Sequence, residues 1–303
     1  MTLDRIIQGD ALTELKKLPD ECVDCVVTSP PYWNLRNYEV KGQLGLERSP
    51  EKYVVNMVLV FSECRRILKK GGTFWLNIGD SYASNRANGN QGKYGQRYGR
   101  HMTASAAPKQ GFGLKNKDLV GIPWMLAFAL RSEGWYLRQD IIWSKPNIMP
   151  ESVEDRCTKS HEYIFLLSKH PDYFFDFEVI KEQATYADSR LGKGRVQYAN
   201  RNQKCGVVVS ESRRKRSVWT VPVSTGVKIG RTAHVAPFPE KLIEPMILSG
   251  CPQGGVCLDP FMGSGTTAVV AKRLGRHYLG IELNPEYIKI AEKRIDGATP
   301  PLF

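Results

Sequence analysis

No run of about 18 apolar residues occurs in the 303-residue chain, so no segment of it is expected to cross a bilayer as a helix. The opening stretch MTLDRIIQGD lacks the basic and apolar regions of a secretory leader, and a cytoplasmic protein without a membrane partner is the expectation. No GxxxxGK[ST] loop is present, which excludes a P-loop nucleotide triphosphatase. Seven cysteines include one CxxC, Cys22 and Cys25, with neither a second pair nor a histidine at ligand spacing. Core packing is therefore predicted, with no metal and no redox role. Internal repeats, heptads and low-complexity tails are also missing.

One further absence is local. Residues 81–117 contain seven Lys or Arg and no Asp or Glu, and residues 189–218 contain nine and one. These segments carry +7 and +8 against a net charge of +12, so the remaining residues sum to −3. A near-neutral body thus bears two basic segments, each rich in Gly, Asn, Gln and Ser and poor in apolar periodicity, as loops are. Solvated surface loops would look the same. Two such tracts with Tyr94, Tyr98 and Tyr198 interleaved point instead to a polyanion that also stacks, and nucleic acid fits best.

Elsewhere short β-rich runs alternate with amphipathic stretches, the pattern of a mainly parallel sheet covered on both faces. Strands are predicted over 5–8, 22–27, 73–78, 136–143, 162–167, 256–259 and 277–281. Helices are predicted over 51–68, ended by Gly71-Gly72, and over 119–132, 239–248, 266–274 and 285–294. The alternation breaks between about 182 and 232.

Two stretches carry chemistry. The first is TSPPYW, Thr28 to Trp33, which leaves the strand 22–27. Consecutive prolines remove two backbone donors and hold Ser29 and Pro30 extended, which makes a stiff ledge. Ser29 and the backbone carbonyls can accept hydrogen bonds there, while Tyr32 and Trp33 offer flat faces. A planar ring bearing an amino group would suit it, although a lone SPPY is more often a proline turn over packed aromatics. The second is LDPFMGSGTT, followed by GIELNPEY. A strand enters the glycine loop Gly263-Ser264-Gly265, and the next strand ends at Glu282, placed to bind the two hydroxyls of a ribose. Taken alone this is a nucleoside-cofactor site of open identity, because residues 263–268 also satisfy the loose GxGxxA form of a dinucleotide fingerprint.

In their order, TSPPYW near the start and LDPFMGSGTT with GIELNPEY near the end resemble the β class of S-adenosylmethionine-dependent DNA amino-methyltransferases. KKGGTFWLNIGD, WYLRQDIIWSKPN, HEYIFLLSK and APFPEKLIEPMI are similar to that family's intermediate motifs, so the likeness spans nearly the whole chain. The resemblance implies an α/β fold: a permuted Rossmann-like methyltransferase with a mainly parallel, seven-stranded sheet, helices on both faces, and a small target-recognition region. The catalytic part would be 1–181 with a mobile basic loop at 81–117, recognition would fall in 182–232, and the cofactor part would be 233–303. The strand of RIIQGDAL would lie beside the strand that ends at Glu282.

Carried over residue by residue, Asp10 would meet the adenine of S-adenosyl-L-methionine and Glu282 its ribose. Asp259, Phe261, Gly263 and Gly265 would hold the methionine end, with Lys241 and Phe238-Pro239 closing the pocket. Ser29, Pro30, Pro31 and Tyr32 would form the catalytic ledge. A serine in the first motif position goes in this family mostly with N4 of cytosine and an aspartate mostly with N6 of adenine, so Ser29 favours cytosine. Cys251-Pro252 holds the letters of the ring-carbon methylases' Pro-Cys motif in reverse and carries no such role. Arg195, Arg201, Arg213, Arg214, Lys215 and Arg216 would contact double-stranded DNA. The resemblance also suggests a cognate restriction endonuclease and a homodimer as partners. The rivals are N6-adenine methylation, an RNA or protein-amide methyltransferase, a non-catalytic DNA-binding relative, and a dehydrogenase, which leaves TSPPYW unexplained.

Overall fold

The computed structural model describes residues 2–35, 37, 40–83, 113–184, 212–224 and 238–299, with the backbone of 227–229 and 233–235. Its strands are β1 (Arg5–Gln8), β2 (Val23–Thr28), β3 (Leu68–Ile78), β4 (Tyr136–Ser144), β5 (His161–Ser168), β6 (Glu182–Gln183), β7 (Ser212–Arg213), β8 (Val218–Thr220), β9 (Val227–Ile229), β10 (Ala233–Val235), β11 (Val256–Asp259) and β12 (His277–Glu282). Its helices are α1 (Ala11–Leu15), α2 (Pro50–Ile67), α3 (Ile122–Ser132), α4 (Glu240–Gly250), α5 (Thr266–Arg273) and α6 (Pro285–Asp296).

One sheet of eight strands runs in the order β1-β12-β11-β2-β3-β5-β4-β8. β5 alone runs against its neighbours β3 and β4. As expected, β1 lies parallel to β12, with Gln8 opposite Glu282, although 274 residues separate them in sequence. The first and last strands therefore lie side by side in one sheet. To the seven strands read from the sequence the fold adds β8, which pairs parallel with β4. Trp219 of β8 is buried with its ring centroid 6.4 Å from that of Trp75, and Val221 O accepts from Trp143 Nε1 at 2.7 Å. Part of the segment expected to form a separate recognition region is thus anchored in the main core.

Period-two alternation splits the buried side chains between two layers. Val26, Phe74, Leu76 and Ile78 face α1, α2 and α3, whereas Cys25, Val27 and Trp75 face α4, α5 and α6. Cys25 packs in the apolar interior, as the lone CxxC predicted, and Cys22 is a free, half-buried thiol.

Among the element boundaries that differ from the sequence reading, two are set by contacts from elsewhere in the fold. Gly71-Gly72 do not end α2. The helix stops at Ile67, and Leu68 already pairs with Val23 before the ladder slips to Cys25 opposite Thr73. Gly72 sits in that bulge, where a Cβ would lie 2.6 Å from Leu68 Cδ1 and 2.8 Å from Asp24 O, so only glycine lets the backbones approach. α3 begins at Ile122, three residues later than expected, because the Asp80 carboxylate accepts from Gly121 N at 3.0 Å and Ile122 N at 3.2 Å. A carboxylate on another element satisfies the orphan donors and fixes the start.

Candidate active site

β2 connects through α2 to its neighbour on one side, and β11 connects through α5 to its neighbour on the other. The C-terminal ends of β2 and β11 therefore flank a topological switch point, where open α/β sheets leave a crevice. A cavity of about 380 Å³ opens there. Asp10 after β1, Ser29 after β2, Asn77 near the end of β3, Lys145 after β4, Asp259 on β11 and Glu282 on β12 all line it. Because β5 is antiparallel, its beginning reaches the same edge and supplies Glu162.

At one end each of three carboxylates accepts from a backbone N–H two or three residues along. Asp259 Oδ1 accepts from Phe261 N at 3.0 Å and Thr28 Oγ1 at 2.6 Å, and Oδ2 accepts from Thr267 Oγ1 at 2.7 Å. Burial pushes this carboxyl up to about 6, against the pull of those hydrogen bonds. Glu282 accepts from Gly263 N at 2.7 Å and Asn284 N at 2.8 Å, and burial raises its pKa as well. Asp10 caps α1, accepting from Thr13 N at 2.9 Å.

Glycine is required twice in the loop. Gly263 has φ +52°, and a Cβ there would find nothing closer than Phe261 O at 3.9 Å, so the space beside it stays open. Gly265 has φ +82° and heads α5, and its Cβ would meet Ala291 Cβ of α6 at 2.7 Å. Gly265 does not line the cavity. It lets α5 and α6 close together under the loop, and Arg294 of α6 ties that loop down by donating to Ser264 O at 2.6 Å.

The other end is built from side chains distant in sequence. Ser29, Pro30, Pro31 and Tyr32 all line the cavity, and Tyr53 Oη donates to Pro31 O at 2.9 Å to fix the ledge. Ser29 Oγ lies 3.3 Å from Tyr32 Oη, which donates to Glu162 Oε2 at 2.7 Å. Asn77 Nδ2 donates to the same oxygen at 3.1 Å, and Lys145 pairs with Glu162 Oε1. Burial first, then the Glu162 charge, hold the Tyr32 phenol far above its ordinary value. Gly79 makes room for this ring: a Cβ there would sit 2.8 Å from Tyr32 Cε2.

The remaining expectations divide. Phe238 and Phe261 line the cavity, but Lys241 is exposed and does not. Leu242, Ile243, Met246 and Ile247 set the buried face of α4, and position 241 falls on the opposite face. In the basic tract the backbone alternates. Arg213 and Lys215 turn inward to pair with Glu182 at 3.4 and 3.1 Å, whereas Arg214 and Arg216 are exposed, Arg214 lying 4.6 Å over the Phe177 ring. Arg195, Arg201 and residues 84–112 of the basic loop lie outside the described residues. Reading by role overlooked Glu162, Asn77 and Lys145. Each sits in a stretch quoted for the resemblance (HEYIFLLSK, WLNIGD, WSKPN), and that position was the available signal. Among the described residues no helix is long and apolar enough to cross a membrane.

An α/β crevice with nucleoside-type carboxylates at one end and an acceptor-rich proline ledge at the other defines a Rossmann-like methyltransferase. The profile of the DNA methylases matches residues 23–293, and the chain belongs to that family. Its relatives include the Type II methyltransferase M.Cfr9I of Citrobacter freundii, 45% identical over 96% of this chain and 87% of that protein. M.SmaI of Serratia marcescens is 47% identical over 96% and 90%. Similar solved structures include TTHA0409 of Thermus thermophilus complexed with S-adenosyl-L-methionine (24% identity, TM-score 0.61, 98% of this chain and 95% of that one). The cytosine-N4-specific PvuII DNA methyltransferase superimposes at TM-score 0.66 with 20% identity, over 97% and 86%. S-adenosyl-L-methionine is the methyl donor of the family.

Proposed function

We propose that this chain methylates the exocyclic N4 of a cytosine turned out of double-stranded DNA at a specific sequence. The observation that carries the reading is Ser29, an uncharged acceptor at the head of the ledge, opening on the same cavity as Asp259 and Glu282. The cavity fits the methyl donor by its chemistry. It combines a buried carboxylate, Asp259, a half-buried one, Glu282, and an unobstructed glycine loop with the apolar walls Phe238, Pro260 and Phe261. In this reading Glu282 takes the ribose hydroxyls, Asp10 faces the adenine, and Asp259 stiffens the loop that receives the methionine end. When bound, S-adenosyl-L-methionine supplies an electrophilic sulfonium methyl.

An exocyclic amine conjugated to its ring is a poor nucleophile. Acceptance of its two N–H groups by Ser29 Oγ and Pro30 O favours a tetrahedral nitrogen and aims its lone pair, which is orientation plus electrostatics with no covalent enzyme intermediate. Extruding a base costs roughly a few kcal/mol, and stacking on Tyr32, worth about 1–3 kcal/mol, offsets much of it.

Sequence recognition is assigned to residues 182–232. The exposed Arg214 and Arg216 are its outward charges among the described residues, since Arg213 and Lys215 already serve Glu182. Names of the relatives as Type II methyltransferases support site-specific modification beside a restriction endonuclease. The test is incubation with S-adenosyl-L-methionine and unmethylated genomic DNA, digestion to nucleosides and mass spectrometry. N4-methylcytosine is the expected product; N6-methyladenine would overturn the base assignment.

A further inference from the structure

The proposed reaction leaves a proton to be disposed of, and Ser29 cannot keep it. Methyl transfer forms an N–C bond and breaks an S–C bond, so the amino nitrogen becomes positively charged and must lose one N–H proton. An aspartate at the head of the ledge could receive that proton directly. A serine needs somewhere to pass it.

The hydrogen bonds around Ser29 have one consistent direction. Glu162 accepts on both oxygens: Lys145 at Oε1, and Tyr32 Oη (2.7 Å) and Asn77 Nδ2 (3.1 Å) at Oε2. The single proton of Tyr32 is therefore committed to Glu162, and Tyr32 can meet Ser29 only as an acceptor. At 3.3 Å the Ser29 hydroxyl donates to it, which leaves the Ser29 lone pairs as the face offered to a substrate. An ambivalent hydroxyl becomes an obligate acceptor.

We propose that Glu162 is the positioning and proton-receiving end of a Ser29–Tyr32–Glu162 relay that serves the target amine. The chain polarises Ser29 toward the amino group. As the N–H proton moves to Ser29 Oγ, the Ser29 proton passes to Tyr32 and the Tyr32 proton to Glu162. Both hydroxyls are restored, the nitrogen is neutral, and the carboxyl carries the proton. Lys145 and Asn77 hold the carboxylate in place before the transfer. Of the cavity's other carboxylates, Asp259 and Glu282 are occupied by the glycine loop, and Asp10 caps α1. The inference rests on an amine substrate, but not on which base bears it.

The test uses the full chain, S-adenosyl-L-methionine and an oligonucleotide that the enzyme modifies, with single-turnover rates at saturation. Tyr32→Phe keeps the ring and removes the link. Glu162→Gln keeps the shape and removes the proton acceptor. Each should slow methyl transfer by on the order of tenfold to a hundredfold, with cofactor and DNA dissociation constants within about twofold of wild type. Because the residues act in series, the double variant should be no slower than the slower single one.

A wild-type rate in Tyr32→Phe would overturn the relay, as would losses that multiply in the double variant or that fall on binding alone. Should Glu162→Gln fail to fold, the rate of Tyr32→Phe decides by itself. Product identity separates the two claims. N6-methyladenine with impaired variants sinks the base assignment and keeps the relay, while N4-methylcytosine with an unimpaired Tyr32→Phe sinks the relay alone.

Discussion

The two ends of the crevice are built by different rules. At the cofactor end, each carboxylate accepts from a backbone N–H two or three residues along, Asp10 from Thr13, Asp259 from Phe261 and Glu282 from Asn284, and the assembled sheet then adds Thr28 to Asp259 and Gly263 to Glu282. At the target end, Glu162 meets Tyr32 from 130 residues away, Asn77 from 85 and Lys145 from 17. Local turns and caps can form before the rest of the protein is in place, whereas the target end exists only once β2, β3, β4 and β5 have assembled in register. The difference teaches that the cofactor half has a local scaffold to which the sheet adds partners, whereas the target half is wholly a product of the sheet.

Four changes would break or sharpen that contrast. The largest effect should come from Ser29→Ala, which removes the side-chain acceptor at the target end. Turnover should fall by on the order of a hundredfold or more while calorimetric cofactor affinity stays put, and a matching loss of affinity would mean that the two ends are not separable. Glu282→Ala should do the reverse. Losing the proposed ribose acceptor and the tether on Gly263 should weaken cofactor binding by about tenfold or more, measured at DNA saturation, with the rate recovering as cofactor is raised.

The third concerns pH. Asp259 is raised to about 6 in the folded protein from an ordinary 3.8. Between those values the folded state binds more protons than the unfolded chain, so this group's contribution to stability falls as pH rises and is constant above the folded value. Comparing denaturant unfolding of wild type and Asp259→Asn from pH 4 to pH 8 should show the steeper fall in the wild type, the two slopes differing by at most about 1.4 kcal/mol per pH unit. The smallest effect is expected at Lys241, which is exposed and outside the cavity. Lys241→Ala should leave the cofactor dissociation constant within about twofold, and a large loss would extend the cofactor end onto α4.

Much of the fold was legible because its signals are short-range. Alternation of β-rich and amphipathic runs marked the strands and helices, and the glycines at 263 and 265 marked a loop whose positive φ values they allow. Two of the misread boundaries were set from elsewhere. Gly71-Gly72 resembles a helix stop but serves a bulge against β2, and the start of α3 is fixed by Asp80. The basic tract shows the same limit. Four consecutive cations read alike in sequence, but Arg213 and Lys215 pair with Glu182 while Arg214 and Arg216 are left exposed.

By itself the sequence determined the layered α/β architecture, the strand, glycine loop and helix proposed to receive the cofactor, and the stiff Ser-Pro-Pro-Tyr ledge. Each of these follows from backbone restrictions and side-chain periodicity within a few residues. Only the tertiary structure decided that an antiparallel β5 brings Glu162 beneath Tyr32, that β8 and Trp219 join the main sheet, and that Lys241 stands away from the cavity. Strand order and register are set by contacts summed over the whole sheet, and no local run of residues encodes which carboxylate will face which hydroxyl.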